Sequence, residues 1–435
     1  MALAPASTPP PVATGGPVST RTYLLPFILV VGVFFLWGMA HSLDSILIPH
    51  LQKACQLNNR QSTFVDTAVF LAYFLMAIPA GILLKRLGYK FTIILGLLAF
   101  AGGAFLFVPA ADARSYGLFL TALFIIGCGL TTLETAANPY AAVLGPPESA
   151  TSRLNLAASF NGMAVFVAPL IGTRMILSGK EYSKGQLAAM TDTVRTTYLN
   201  HEAAAVKLPY MVLGAVLVAV AVLFFFSKLP EVKAVEVEPS EGGSFFGVLK
   251  HRHLVWAVVA QFFYVGAQVC VTSFFIRMAK QGAGVDEKTA GYYLSYVYGS
   301  LFLAGRFIGT YLLKYVAPQR LLVIYAVATI LLCAVAVFGD GAYVIYALGG
   351  LGFFMSIMFP TIFALGISGL GDDTKPGSSW LVMSIVGGAI MPPLMGTLID
   401  MRGDNIQIGY LIPMVCYLVI LLFGMYGYRI KGQLA

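Results

Sequence analysis

The chain has 435 residues, of which 58% are hydrophobic and only 11% charged, with a mean hydropathy of +0.83; a soluble domain usually carries about 25% charged residues. So little charge cannot coat a globule of this length in water, which excludes a soluble protein and implies an integral membrane protein. The formal net charge of +8 does not point to nucleic acid: the basic residues fall mostly in short loops without interleaved aromatics, where they serve orientation and lipid contact.

The first twenty residues, "MALAPASTPPPVATGGPVST", contain no apolar core and are not a signal peptide. Residues 1–22 are expected to form a disordered cytoplasmic tail. A membrane span needs about 20 apolar residues. Apolar runs and their polar interruptions predict twelve spans, at roughly 23–50, 61–86, 90–110, 116–144, 153–178, 207–228, 251–279, 288–315, 319–338, 342–370, 376–400 and 407–430. The expected fold is therefore all-α, with twelve transmembrane helices in two six-helix bundles over 23–228 and 251–435. A polar cytoplasmic linker, 229–250, joins them. A second polar stretch near 178–207, between spans five and six, is expected to hold a short surface helix.

An even number of spans puts both termini on one side. The excess of Lys and Arg in loops on that side is small overall. It sharpens locally at Lys85, Arg86 and Lys90, at Lys228, Lys233, Lys250 and Arg252, and at Lys314 and Arg320, and favours cytoplasmic termini. The halves are related in sequence. "PLIGTRMILSG" from Pro169 matches "PLMGTLIDMRG" from Pro393, Ala80–Gly81 matches Ala304–Gly305, and "PYAAVLG" from Pro139 matches "PTIFALG" from Pro360, in order and at nearly constant offset. That pattern argues for a six-plus-six duplication, in which two bundles rock about a central site.

Span one places Trp37, His41 and Asp44 at i, i+4 and i+7, on one helical face. A charge at such depth costs about 3 kcal/mol even on insertion scales. Either Asp44 lies near the outer end and reaches water, or this face lines a polar cavity. In a cavity the indole suits the apolar side of a sugar ring, and the carboxylate binds hydroxyls or a cation. Asp66, in span two, is read by default as an outer-end polar residue, with contact to a ligand or ion as the alternative.

Between spans two and three, "GILLKRLGYK" has the shape of a conformational latch, or simply of a basic inside loop. Span four carries the strongest signal, "GCGLTTLETAANPYAAVLG". Glu134 sits near mid-membrane with Asn138 one turn later, and Pro139 leaves the Thr135 carbonyl without a donor and is expected to open the helix. Polar groups at that depth face protein or water. Glu134 is either hydrogen-bonded to a neighbouring helix or a proton-coupling group, since burial lets proton uptake switch its charge.

In span five, Asn161 is either a cavity residue or a helix–helix hydrogen bond. Span seven carries Gln261, Tyr264 and Gln268 on one stripe, which looks more like a substrate wall than packing. In span eight, Arg306 either pairs with an acid across the bundle interface as a gate or anchors near the cytoplasmic surface. Phe359 in span ten joins the expected cavity wall. The five cysteines, Cys55, Cys128, Cys270, Cys333 and Cys416, show no metal spacing and are expected to be unpaired.

Over about residues 24–428 the chain resembles the fucose–galactose–glucose:proton symporter family of the major facilitator superfamily. The resemblance rests on "LETAANP" with "VLGP", "RLNLAASFNG", "AQFFYVGAQ", "GRFIGTYLLKYVAP", "FMSIMFPTIFALGI" and "DDTKPGSSWLVMSIVGGAIMPPLMG". It implies cation-coupled uptake of a monosaccharide, usually with protons and in some members with sodium. It also implies an acidic pair, from spans four and one, in the sugar and proton site. Glu134 matches that motif. In span one the family reads "LND", whereas this chain reads Leu43–Asp44–Ser45. The acid is displaced by one residue, about 100° around the helix, and Ser45 stands in its place. Either Asp44 substitutes for it, or coupling falls to Glu134 with His41 or Asp66 assisting. Lys85 likewise stands where the facilitator loop has an Asp.

The expected function is a secondary active importer of fucose, glucose, galactose or a related hexose by proton symport, with Asp44 and Glu134 coupling the cation. The alternative is a sodium-coupled or uncoupled hexose or N-acetylhexosamine carrier. No nucleophile–base pair, metal spacing or phosphate loop suggests an enzyme, and no cofactor is expected beyond the co-transported ion. Sugar and membrane lipid are the expected partners of a monomer in the bacterial inner membrane.

Overall fold

The computed structural model describes residues 20–145, 150–179, 182, 184–227 and 246–429. Residues 1–19 of the expected tail and 229–245 of the expected linker lie outside them. Among the described residues the regular structure is entirely helical, as membrane burial of the backbone demands.

Span one is Thr20–Ala54, which takes in the last residues assigned to the tail. Spans two and three are the two arms of one run, Phe64–Asp112, bent at Gly88, whose φ of 73° suits a residue without a side chain. Spans four, five and six are Tyr116–Val143, Ala150–Met175 and Lys207–Phe226. Span seven is Arg252–Ala283. Span eight runs through Glu287–Tyr293, a π-helical turn at Leu294–Gly299 and Ser300–Leu312. Span nine is Pro318–Phe338. Span ten is Ala342–Met355 and Met358–Ile367, and span eleven Thr374–Met383 and Gly387–Met401. Span twelve contains Leu411–Leu422.

Two expectations change. Span four stays helical through Pro139; hydroxyls of Thr131, Thr132 and Thr135 bond back to carbonyls one turn earlier, at 2.8 Å each. Between spans five and six there are two helices, Lys184–Ala189 and Asp192–Ala204. The second is no plain surface helix, because it buries Leu199, Glu202 and Ala203.

Span one packs on span five, and spans two and three on four and six. Span seven packs on ten, eleven and twelve, and span nine on ten and twelve. Large apolar side chains such as Ile78, Phe226 and Phe338 point outward, where lipid is their solvent. Close approach inside depends on small residues. A Cβ on Gly38 would lie 2.7 Å from the Asn161 carbonyl oxygen, so only glycine lets spans one and five meet there.

The two groups of helices are tied together at the end of the molecule opposite the start of span one. Lys53 Nζ reaches Glu202 at 2.9 Å and Glu287 at 3.1 Å. Asn59 Nδ2 donates to Asp400 and Asp404, at 2.9 Å each, and the Arg60 amide donates to Asp400 at 3.0 Å. At the other end Lys85 and Arg86 are exposed and make no ion pair among the described residues. No latch contact of that loop is made among the described residues. Lys90 instead donates to the Ser227 carbonyl at 3.0 Å.

Two glycine substitutions separate packing from propensity. Gly38→Ala forces apart two backbones and should lower the thermal unfolding midpoint in detergent, by a cost of about 1–3 kcal/mol. Gly102→Ala, with nothing within 4 Å of the new methyl group, should raise it through about 0.5–1 kcal/mol of helix stabilisation.

Candidate functional site

A cavity of about 320 Å³ lies between the two groups of helices. Span one exposes to it Trp37, Gly38, His41, Ser42, Asp44 and Ser45, a stripe wider than the i, i+4, i+7 face. The one-residue displacement of the acid therefore does not remove it from the cavity: Asp44 and Ser45 both line the wall. Asp44 is 9% exposed and makes no hydrogen bond within the described chain. It is not an outer-end residue reaching water, because the Lys53 layer closes above it.

Span two contributes Asp66, Phe70 and Tyr73, at the same i, i+4, i+7 spacing as Trp37, His41 and Asp44. That spacing is the signal that would have found them. Asp66 stands in the first turn of its helix, near the end as expected, but it is 3% exposed, accepts from Ser273 Oγ at 2.8 Å and faces the cavity rather than solvent. Tyr73 is a hub. Its hydroxyl is 2.8 Å from His41 Nε2, and its phenol faces Glu134. The rings of Phe70, Tyr73 and His41 lie 5.4–6.3 Å apart between centroids.

Glu134 lines this cavity and also a second space of about 390 Å³ toward the end where span one begins. Tyr73, Phe359 and Ile385 border both. Asn138 lines only the second space, with Thr131, Thr135 and Phe363, so it lies along a path rather than at the central site. Asn161 borders the central cavity and also donates to the Phe34 carbonyl at 3.2 Å, fulfilling both of its sequence readings.

Span seven corrects the sequence. Val265, Gln268, Val269, Thr272 and Ser273 line the cavity, but Gln261 and Tyr264 do not. Gln261 is fully buried with neither amide atom bonded, and Tyr264 donates to the Met355 carbonyl at 2.9 Å inside the second group of helices. The stripe is continuous, but the cavity ends before Gln261. Gln268 remains half-buried in the wall with no side-chain partner in the described chain.

Arg306 lies over the Phe302 ring at 5.7 Å and has no acidic partner among the described residues, so of its two readings the cross-interface ion pair is not seen there. All five cysteines are free. The described residues bring no three His, Cys, Asp or Glu together as a metal site.

The helix breaks converge on the same place. Leu294 and Tyr298 belong to the π-helical turn of span eight, Phe359 follows the break in span ten, and Ile385 sits in the 3-10 turn of span eleven. Irregular backbone at membrane depth is tolerated where it lines a cavity.

The Major Facilitator Superfamily model matches residues 27–377. The chain is 42% identical to the L-fucose-proton symporter of Escherichia coli (strain K12), over 96% of this chain and 95% of that protein. It is 39% identical to the glucose/galactose transporter of Brucella abortus biovar 1 (strain 9-941), over 96% and 98%. A crystal structure of the major facilitator transporter FucP in the outward conformation, 42% identical, superposes with a TM-score of 0.68 over 94% of this chain and 99% of that one.

Span seven offers a test that needs no ligand. Gln261→Leu removes an unsatisfied buried amide and should raise the unfolding midpoint, relieving about 1–3 kcal/mol. Tyr264→Phe strands the Met355 carbonyl and should lower the midpoint by a similar amount.

Proposed function

The chain belongs to the major facilitator superfamily, and from that premise we propose that it is a secondary active transporter importing a monosaccharide by proton symport. Two six-helix halves rock about the central cavity. One observation carries this reading: a cavity of sugar size, at the low end of the roughly 300–1,000 Å³ range of ligand sites, is walled by aromatic faces and by polar groups, of which Asp44 and Gln268 have no side-chain hydrogen bond among the described residues. Trp37, Phe70 and Phe359 offer apolar faces to a pyranose ring. Asp44 and Gln268 have unspent hydrogen-bonding capacity for its hydroxyls. The named relatives carry L-fucose and glucose or galactose, which sets hexoses of that kind as the substrate class.

Glu134 is the coupling group on this proposal, because it borders both the sugar cavity and the space leading away from it. Protonated, it adds no charge to a cavity that must cross between two exposures. Ionised, it costs the free energy of a charge in a low-dielectric interior, which opposes reorientation of a half-loaded carrier. Asp44, with no hydrogen bond among the described residues, borders the same cavity and shares that duty. His41, through Tyr73, orders the side chains between them. Asn138 supplies a polar contact on the way out.

We place the protein in the bacterial inner membrane as a monomer, with both termini cytoplasmic; the loop charges support that orientation. The end closed by Lys53 and Asn59 is then the outer end, and this conformation faces inward. Sodium coupling is the second reading, supported by the hard oxygen donors of Asp44, Asp66, Ser45 and Ser273 in one cavity.

Proteoliposome uptake of L-fucose, D-galactose and D-glucose under an imposed proton or sodium gradient tests both readings. A pH gradient, acid outside, should drive accumulation without sodium. Glu134→Gln should abolish accumulation against a gradient while leaving sugar exchange measurable. If the variant still accumulates sugar, Glu134 is not the coupling group; if only sodium drives uptake, the second reading holds.

A further inference from the structure

Asp66 lies at the outer margin of the cavity and has no part in the proton-coupling scheme above. Its Oδ2 accepts from Ser273 Oγ at 2.8 Å. The carbonyl of the same Ser273 accepts from Arg277 Nη2 at 3.1 Å. Arg277 Nη1 then donates to Gln52 Oε1 at 3.1 Å, Asn59 Oδ1 at 3.2 Å and Ser62 Oγ at 2.9 Å. Asn59 passes the connection on to Asp400 and Asp404. The path crosses between the halves at each stage: from Asp66 to span seven, back to the residues around Asn59, and again to span eleven.

Asp66 and Arg277 are both buried, at 3% and 8% exposure. Each of the four groups bonded to Arg277 is a neutral oxygen acceptor. The negative charge that balances a buried guanidinium must come from elsewhere, and removing one member of such a pair leaves the other uncompensated. The titratable and charged groups facing Asp66 are Asp44 on span one, Tyr116 on span four, and Cys270 and Arg277 on span seven. Of these, Arg277 is the cation.

We propose that Asp66 is a positioning residue for alternating access: its ionised carboxylate, through Ser273 and Arg277, holds closed the end of the cavity that carries Lys53 and Asn59. Closure is thereby sensed from inside the cavity, because one carboxylate both borders the ligand space and balances the cation of the bridge. Arg277 also lies 3.8 Å from the centre of the Phe274 ring and is faced by Asp400 as well as by Asp66; neutralising Asp66 removes the carboxylate on the cavity side, and the closed arrangement loses part of its advantage over the open one. This rests on the rocking-carrier reading, but the test below uses neither sugar nor gradient, so it succeeds or fails apart from the choice of substrate and coupling ion.

The test is a distance distribution from spin labels at Leu118, in the first turn of span four, and Met401, at the end of span eleven. Both are exposed at the closed end. The full chain is used, with its five cysteines replaced, in detergent or nanodiscs. The starting protein should show a dominant short separation. Asp66→Asn should add a longer-distance population, Asp66→Glu should restore the short one, and Arg277→Gln should open to the same extent as Asp66→Asn, with the double variant no further open. An unchanged distribution in Asp66→Asn overturns the proposal. So does an opening that Asp66→Glu fails to reverse, which would mark a packing role. If Asp66→Asn is not monodisperse, Ser273→Ala cuts the same link without altering charge. The longer population is expected there too, and its absence overturns the proposal.

Discussion

A carboxylate inside a membrane must be paired, neutralised or given a polar space, and the arrangement of this protein follows from that constraint. Asp44, Asp66 and Glu134 sit on three different helices, yet all three border one cavity rather than lipid. The interruptions in spans eight, ten and eleven open onto the same cavity, where freed backbone groups cost least. Polar side chains and irregular backbone thus share one location for one reason.

The closed end shows how such a cavity can be switched. Lys53, Asn59 and Arg277 make their bonds across the two halves, in a layer beyond Asp44 and Asp66. Buried ion pairs contribute little net stability because their desolvation is costly, but they penalise imperfect geometry. A layer of this kind favours a fully formed closure or none over a partial one.

Much of the site was legible because helical periodicity is simple. The spacing of Trp37, His41 and Asp44 identified one wall, the depth of Glu134 a second and Gln268 part of a third. The same spacing in Asp66, Phe70 and Tyr73 carried equal information, but a position near a predicted helix end made Asp66 look like a surface residue. Span one and the start of span two are capped by a layer of interhelical bonds, and that layer puts Asp66 inside. Gln261 and Tyr264 failed in the opposite way. They share a stripe with Gln268, but the packing of span seven against spans ten and eleven ends the cavity before it reaches them.

The sequence by itself determined that the chain is a helical membrane protein, predicted twelve crossings in two sets of six, and showed that acids lie too deep to be decoration. Length, hydropathy and spacing are local properties, and each helix satisfies its backbone alone. Only the tertiary structure decided that Asp44 and Ser45 both reach the cavity, that Asn138 lies outside it, that Arg306 rests on an aromatic ring, and that Arg277 bridges the halves. Periodicity says which residues share a face. Which neighbour covers that face, and where the covering stops, depends on helices hundreds of residues away.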